Sequence, residues 1–218
     1  MDDQQRNAIR ELAQEHFDRG DMLGWFEALY AEAGEDASVI PWANLRPNLN
    51  LVRWLDRENP AAGRALVVGC GLGDDAEELS RRGFTVTAFD IAPTAIQWAK
   101  KRFPQSKVTY VVGDAIAPDP AWVNAFDFVF EAYTLQAILP EPRAKAFRGI
   151  ASTVKPGGKL LVVCRGRDET DPPGNMPWPL TKAEVGTFET LGLKQVSFED
   201  YLDEENPPVR RFRIMYRR

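Results

Sequence analysis

From position 64 onward the apolar residues fall in short runs separated by stretches of helical spacing. Leu66-Val67-Val68 and Leu160-Leu161-Val162-Val163-Cys164 are strand-length and continuous, as in strands buried on both faces. The pattern predicts strands at 64–69, 84–90, 107–112, 126–130 and 159–164, alternating with helices at 74–82, 93–103 and 141–154. Such alternation predicts an α/β protein with a parallel sheet covered by helices. Pro93 suits a first helical turn, where its missing N–H leaves no bond unmade. Lys155-Pro156-Gly157-Gly158 stops the helix before it and turns the chain into the fifth strand.

The last third is patterned differently. Pro172, Pro173, Gly174, Pro177 and Pro179 predict a long loop over 168–179. Thr181 with Glu184 three residues on reads as a capping box opening a helix. Strands at 194–201 and 209–216 predict an antiparallel hairpin at the sheet edge. Alternation of Phe212, Ile214 and Tyr216 with Arg211, Arg213 and Arg217 predicts an apolar inner face and an arginine-lined solvent face. Ahead of the sheet, 3–17, 25–33 and 48–56 read as helices, with apolar faces at Trp25 and Leu29 and at Leu51, Trp54 and Leu55. Residues 1–60 are expected to cap one end of the sheet and 61–218 to form the core of a single domain.

Composition narrows the function. The 218 residues are 44% hydrophobic and 27% charged, which fits one globular domain and not a disordered chain. A net charge of −5 provides no basic face, so no nucleic-acid partner is expected. No apolar run nears the roughly 18 residues of a membrane span, so no membrane partner is expected either. Met1-Asp2-Asp3-Gln4-Gln5 lacks the basic start and apolar stretch of a secretion signal, which predicts a cytoplasmic protein. With only Cys70, Cys164 and the single His16, no Cys/His zinc site can assemble, and no metal is expected. A small-molecule partner remains, with the chain a monomer or homodimer.

The chemistry concentrates in Val67-Val68-Gly69-Cys70-Gly71-Leu72-Gly73-Asp74, a strand running into a glycine turn and then a helix. Such a turn brings backbone close to a ligand and points N–H groups at it. A dinucleotide fingerprint would carry a third glycine where Asp74 stands, and Asp74 with Asp75 would repel a pyrophosphate. A ligand with a positive centre fits better. Asp90, at the end of the second strand, is placed to accept from a ribose diol. Asp114, in Gly113-Asp114-Ala115 after the third strand, is placed to accept from an amino group such as that of adenine.

This combination resembles the class I S-adenosylmethionine-dependent methyltransferases from residue 64 to the final strand. The resemblance lies in Gly69-Cys70-Gly71-Leu72-Gly73, Phe89-Asp90-Ile91-Ala92, Gly113-Asp114-Ala115 and Val154-Lys155-Pro156-Gly157-Gly158. Within that group the chain is similar to the thiopurine and thiol/halide methyltransferases, on Trp25 with Ile40-Pro41-Trp42, on the run 63–71, and on Phe126-Asp127-Phe128-Val129-Phe130-Glu131-Ala132-Tyr133. The resemblance implies a Rossmann-like sandwich, with a seven-stranded, mostly parallel sheet and an antiparallel C-terminal strand. It implies S-adenosylmethionine as methyl donor and S-adenosylhomocysteine as product. Asp90 and Ile91 would hold the ribose end, Asp114 and Ala115 the adenine, and Gly69, Cys70, Gly71 and Gly73 the amino-acid end. Trp25 and Trp42 would close over the cofactor, their ring faces attracting a sulfonium.

Glu131 and Tyr133, past the fourth strand, are the candidates for contacting the acceptor or the methionine moiety. The expected reaction is methyl transfer to a small thiol by in-line displacement, which needs alignment more than a covalent nucleophile. Two alternatives stay open. Arg165 and Arg167 would attract an acidic acceptor, which keeps an O-methyltransferase of small phenols or carboxylic acids in play. A non-catalytic nucleoside-binding module would use the same turn without turnover.

Overall fold

The computed structural model describes residues 3–218. Its sheet contains β1 (Arg64–Val68), β2 (Thr85–Asp90), β3 (Thr109–Val112), β4 (Phe126–Ala132), β5 (Val154–Arg165), β6 (Lys194–Leu202) and β7 (Arg210–Arg217). The helices are α1 (Asp3–Asp18), α2 (Gly24–Ala33), α3 (Leu49–Glu58), α4 (Asp74–Arg81), α5 (Pro93–Arg102), α6 (Pro140–Thr153) and α7 (Lys182–Thr190). Strand order is β3-β2-β1-β4-β5-β7-β6, and only β7 runs against the rest. Because the chain starts at the centre of the sheet, moves to one edge and then crosses to the other side of β1, the ends of β1 and β4 adjoin at the point where ligands bind in open α/β sheets.

Each face of the sheet has its own core. On one, Phe147 and Ile150 of α6 and Val185 and Phe188 of α7 pack on Val129, Leu160, Val162, Phe212 and Tyr216. On the other, Leu51, Trp54 and Leu55 of α3 join Leu79 of α4 and Ile96 of α5, with Trp54 stacked on Phe128 at a centroid separation of 4.7 Å. The capping box forms as expected: Glu184 N–H donates to Thr181 Oγ1 at 3.1 Å, and Thr181 N–H donates to Glu184 Oε2 at 2.8 Å.

Three expectations change. The N-terminal segment is not uniformly a cap: α3 lies on the sheet face, drawn there by its Leu51, Trp54 and Leu55 stripe. Helices α1 and α2 instead cluster with Leu72, Ala92, Ala95, Trp98 and Met176. The arginine face of β7 meets solvent fully only at Arg217, at the strand's end; Arg211 is held by Asp203 and Glu205 of the β6–β7 turn, and Arg213 lies against α3. Arg211 is 5% exposed, and Arg213 donates to Asn50 of α3 at 3.3 Å. The Lys155-Pro156-Gly157-Gly158 stretch is the irregular start of β5, not a separate turn; the pairing register slips between Phe126 and Phe128, and Gly157 N–H donates to the Arg218 carbonyl. The 168–179 loop is tied down beneath α1: the Met176 carbonyl accepts from Arg10 at 3.1 Å, and Trp178 packs on Phe17.

Candidate active site

The carboxyl ends of the strands carry every residue expected at the site except Trp25 and Trp42. Gly71 has φ +49, and a Cβ there would lie 3.0 Å from Tyr30 Oη, so only glycine lets the cap descend onto this turn. Gly71 N–H donates to Asp90 Oδ2 at 2.9 Å, and Ala92 N–H donates to Asp90 Oδ1 at 3.0 Å. Asp90 is therefore fixed between the glycine turn and the start of α5. Each carboxylate oxygen keeps a lone pair for a further donor. Burial pushes the Asp90 pKa up, opposed by the N–H donors of Ala92, Gly71 and Ile91. Gly69 follows β1 at φ +59, Gly73 opens α4 at φ +93, and Cys70 between them is buried with its thiol pKa raised by burial.

After β3, Asp114 Oδ1 accepts from Ile116 N–H at 2.7 Å and folds the turn around buried Ala115. The two acids opening α4 do not stand free, contrary to the expected repulsion of a pyrophosphate. Asp74 is held by both Arg102 terminal nitrogens at 2.7 and 2.9 Å, and Asp75 accepts from Asn48 N–H at 2.6 Å. Burial pushes Asp75 up to about 7.

Above the glycine turn sits an aromatic group from the cap. Trp42 is half-buried and donates from Nε1 to Tyr30 Oη at 2.7 Å. Trp25 is 1% exposed, stacked on Phe26 at 3.8 Å and edge-on to Trp42 at 6.1 Å; its Nε1 has no partner. Trp42 and Tyr30 thus meet Gly71, while Trp25 lies behind them. Glu27 fastens α2 to the core, accepting from Thr94 N–H at 3.0 Å and Thr94 Oγ1 at 2.6 Å.

The end of β4 is built differently. Glu131 is fully buried between Val68 and Val162, and its Oε1 accepts from the N–H groups of Thr134 at 2.8 Å and Leu135 at 3.0 Å. Its other oxygen has no hydrogen-bond partner among the described residues, and burial pushes the pKa up to about 7. Glu131 thereby shapes the turn that follows it. Tyr133, in that turn, adopts φ +68, a costly conformation for a bulky residue, and lies under the Arg211 guanidinium at 4.9 Å. Thr134 Oγ1 donates to the Val68 carbonyl at 3.3 Å, linking this turn to the glycine turn. His16 is elsewhere, paired with Asp21 at 2.8 Å.

Sequence reasoning missed Tyr30, Thr134, Arg211 and the buried Gln136, whose Oε1 accepts from Arg165 N–H at 2.6 Å. Tyr30 falls off the Trp25–Leu29 spacing, and the other three act through contacts made across the chain. The alternation along β7 did mark Arg211, but for the wrong environment. Among the described residues no cluster of three or more His, Cys, Asp or Glu side chains could hold a metal ion, and no helix is long and apolar enough to cross a membrane.

The donor set suits S-adenosylmethionine: a carboxylate for a diol, a close-approach glycine turn, and aromatic rings in place of a phosphate-binding cation. Residues 66–162 match a methyltransferase domain family. The chain is 31% identical over 173 residues to thiocyanate methyltransferase 1 of Brassica oleracea, covering 78% of this chain and 73% of the relative. It is 32% identical over 169 residues to magnesium-protoporphyrin O-methyltransferase of Rhodobacter capsulatus, covering 71% and 73%. A S-adenosylmethionine-dependent methyltransferase structure from Methanosarcina mazei shares the fold, with a TM-score of 0.66 at 18% identity over 76% of this chain and 96% of that one. Strand order and sequence likeness agree that the chain belongs to the class I S-adenosylmethionine-dependent methyltransferases and resembles their thiol methyltransferase branch.

Proposed function

We propose that this methyltransferase acts on the sulfur of a small thiol. The observation that carries the reading is the chemistry past β4 and β5: a phenol and arginines, with the Glu131 carboxylate fully buried and anchored through one oxygen to the β4 turn. Glu131 is turned into the β4 turn and His16 is tied to Asp21. A thiol of pKa near 8.5 is partly ionised at neutral pH and gains thiolate beside a cation, whereas a phenol near 10 would need a base to remove its proton. The relative named for thiocyanate acts on a sulfur-containing acceptor, in keeping with this choice.

In this reading Asp90 accepts from the ribose, Asp114 and Ala115 receive the adenine, and Gly69, Cys70, Gly71 and Gly73 line the amino-acid end. When bound, S-adenosylmethionine supplies an activated methyl group on a positively charged sulfur. Trp42 and Tyr30 cover the glycine turn and exclude water, and Trp25 backs Trp42. Tyr133 faces the acceptor. Glu131 is a positioning residue that holds Thr134 and Leu135, and with them the turn that carries Tyr133. The named O-methyltransferase relative keeps methylation of a phenol or carboxylic acid as the second reading.

The test is a product assay with paired thiols and phenols across pH 6–9. Thiol methylation rising with ionisation of the thiol is expected. Turnover of phenols or acids with none of thiols would replace the first reading by the second.

A further inference from the structure

Arginines crowd the carboxyl end of β5, and their partners separate them. Arg143 and Arg167 bracket Glu184 at 2.9 and 3.2 Å, Arg210 holds Asp200 and Asp168, Arg211 holds Asp203 and Glu205, and Arg213 holds Glu199. Arg167 also donates to the backbone carbonyls of Pro179, Asp168 and Asp171. The Arg165 side chain makes no ion pair or hydrogen bond among the described residues. Its main chain is nevertheless fixed on both sides: the N–H donates to buried Gln136 Oε1 at 2.6 Å, and the carbonyl accepts from Leu180 N–H at 2.9 Å.

Arg165 is half-buried and lies directly opposite Arg211 in the β5–β7 register. Like charges facing each other across strands are unfavourable, and an unmatched half-buried guanidinium adds a desolvation cost. Burial and Arg211 push the Arg165 pKa down from the usual arginine range and Arg6 adds to the repulsion, opposed by Glu205 and Asp203, which are themselves engaged by Arg211. Strand alternation puts Arg165 on the same face as Arg211, whose guanidinium covers Tyr133. The unmatched fork therefore stands beside the residue assigned to the acceptor, on a backbone that cannot swing away.

We infer that Arg165 receives an anionic group on the acceptor, most simply a carboxylate, so that the preferred substrate is a thiol bearing a carboxylate apart from the reacting sulfur. A planar guanidinium matches a carboxylate with two parallel N–H donors, and that pairing would supply the charge the fold leaves unmatched. Of the two arginines ending β5, only Arg165 is available, because Arg167 is engaged by Glu184 and the 168–179 loop.

The inference rests on the thiol reading only for its probes, and the experiment separates the two. KM is compared for 3-mercaptobenzoate and 3-mercaptobenzamide, which differ in charge and little in size. Wild-type enzyme is expected to show a KM at least tenfold lower for the acid. Arg165→Gln should bring the ratio within about twofold, and Arg165→Lys should keep part of the preference. Equal KM values in the wild type, or an undiminished preference in Arg165→Gln, would overturn the inference. If neither thiol is methylated, the thiol reading fails, and the anion site is read by calorimetric titration of the S-adenosylhomocysteine complex with benzoate. Binding lost in Arg165→Gln and partly restored in Arg165→Lys supports the site. No benzoate binding, or binding indifferent to both variants, rejects it. Should Arg165→Gln fail to fold, the wild-type comparison and Arg165→Lys decide.

Discussion

The two halves of the sheet's carboxyl edge solve their charge problems in opposite ways. Past β1, β2 and β3, each acid has a partner inside the fold: Asp90 takes the Gly71 and Ala92 N–H groups, Asp74 takes Arg102, and Asp75 takes Asn48. At the ends of β4 and β5 and the start of β7 the balance is incomplete. Among the described residues Glu131 keeps one buried oxygen without a donor and Arg165 is in no ion pair, and Tyr133 sits at positive φ. The first half is the prebuilt cradle that we propose for S-adenosylmethionine. The second stores unmatched groups, which tend to gather at functional sites, and it is where we place the acceptor.

Arg165 and Arg211 give the sharpest way to break this comparison, because they face each other and differ in being matched. Arg211→Met leaves Asp203 and Glu205 without their cation and removes the cover from Tyr133. Loss of one member of a part-buried ion pair should cost about 3 kcal/mol in urea denaturation. Arg165→Met should cost under about 1 kcal/mol, since it removes an unmatched charge. Similar losses for the two would erase the distinction drawn between them.

The next effect falls on the cradle. Asp90→Ala removes the carboxylate from between the glycine turn and α5, and S-adenosylmethionine affinity should fall by about 1.5–3 kcal/mol, or roughly ten- to 150-fold. Calorimetric titration measures it directly. Unchanged affinity would take Asp90 out of the site.

The same division explains what the sequence made legible. Glycines, strand-end acids and helix caps act on neighbours within a few residues, so Gly69 to Gly73, Asp90, Asp114 and the Thr181–Glu184 cap could be read from local pattern. The alternation in β7 also correctly placed Phe212, Ile214 and Tyr216 inward. It cannot show that α3 and the β6–β7 turn close over the other face, so it places Arg211 and Arg213 in solvent with Arg217, which alone of the three is exposed. By pattern Arg165 and Arg167 are equivalent, two positions apart at the same strand end. Only the long-range partners, Glu184 for one and none for the other, tell them apart. Asp74 and Asp75 were misjudged for the same reason: Arg102 and Asn48 are distant in sequence.

Glu131 offers a smaller effect with a definite sign. Its pKa is raised in the folded protein from 4.5 to about 7 by burial, so the folded state binds the proton more tightly than the unfolded chain. That contribution to stability is complete below pH 4.5 and is lost as pH rises through 7. Glu131→Gln keeps an acceptor for Thr134 and Leu135 but cannot ionise. Relative to wild type it should gain on the order of 2 kcal/mol between pH 5 and pH 8. Parallel stability–pH curves for the two proteins would mean that Glu131 is already ionised, or already neutral, across that range.

The smallest effect separates the tryptophans. Trp42→Phe loses the hydrogen bond to Tyr30, worth about 1 kcal/mol, and replaces an indole by a ring that attracts cations less. Stability alone would not say whether the indole faces the ligand. The ratio of affinities does: S-adenosylmethionine carries a cationic sulfur and S-adenosylhomocysteine a neutral one. A ring facing the sulfonium makes Trp42→Phe weaken the first by about three- to fivefold more than the second. Trp25→Phe should leave that ratio unchanged, because Trp25 lies beneath Phe26 and its Nε1 has no bond to lose. An altered ratio in Trp25→Phe with none in Trp42→Phe would exchange the roles of the two rings; equal weakening of both ligands by Trp42→Phe would reduce that indole to packing.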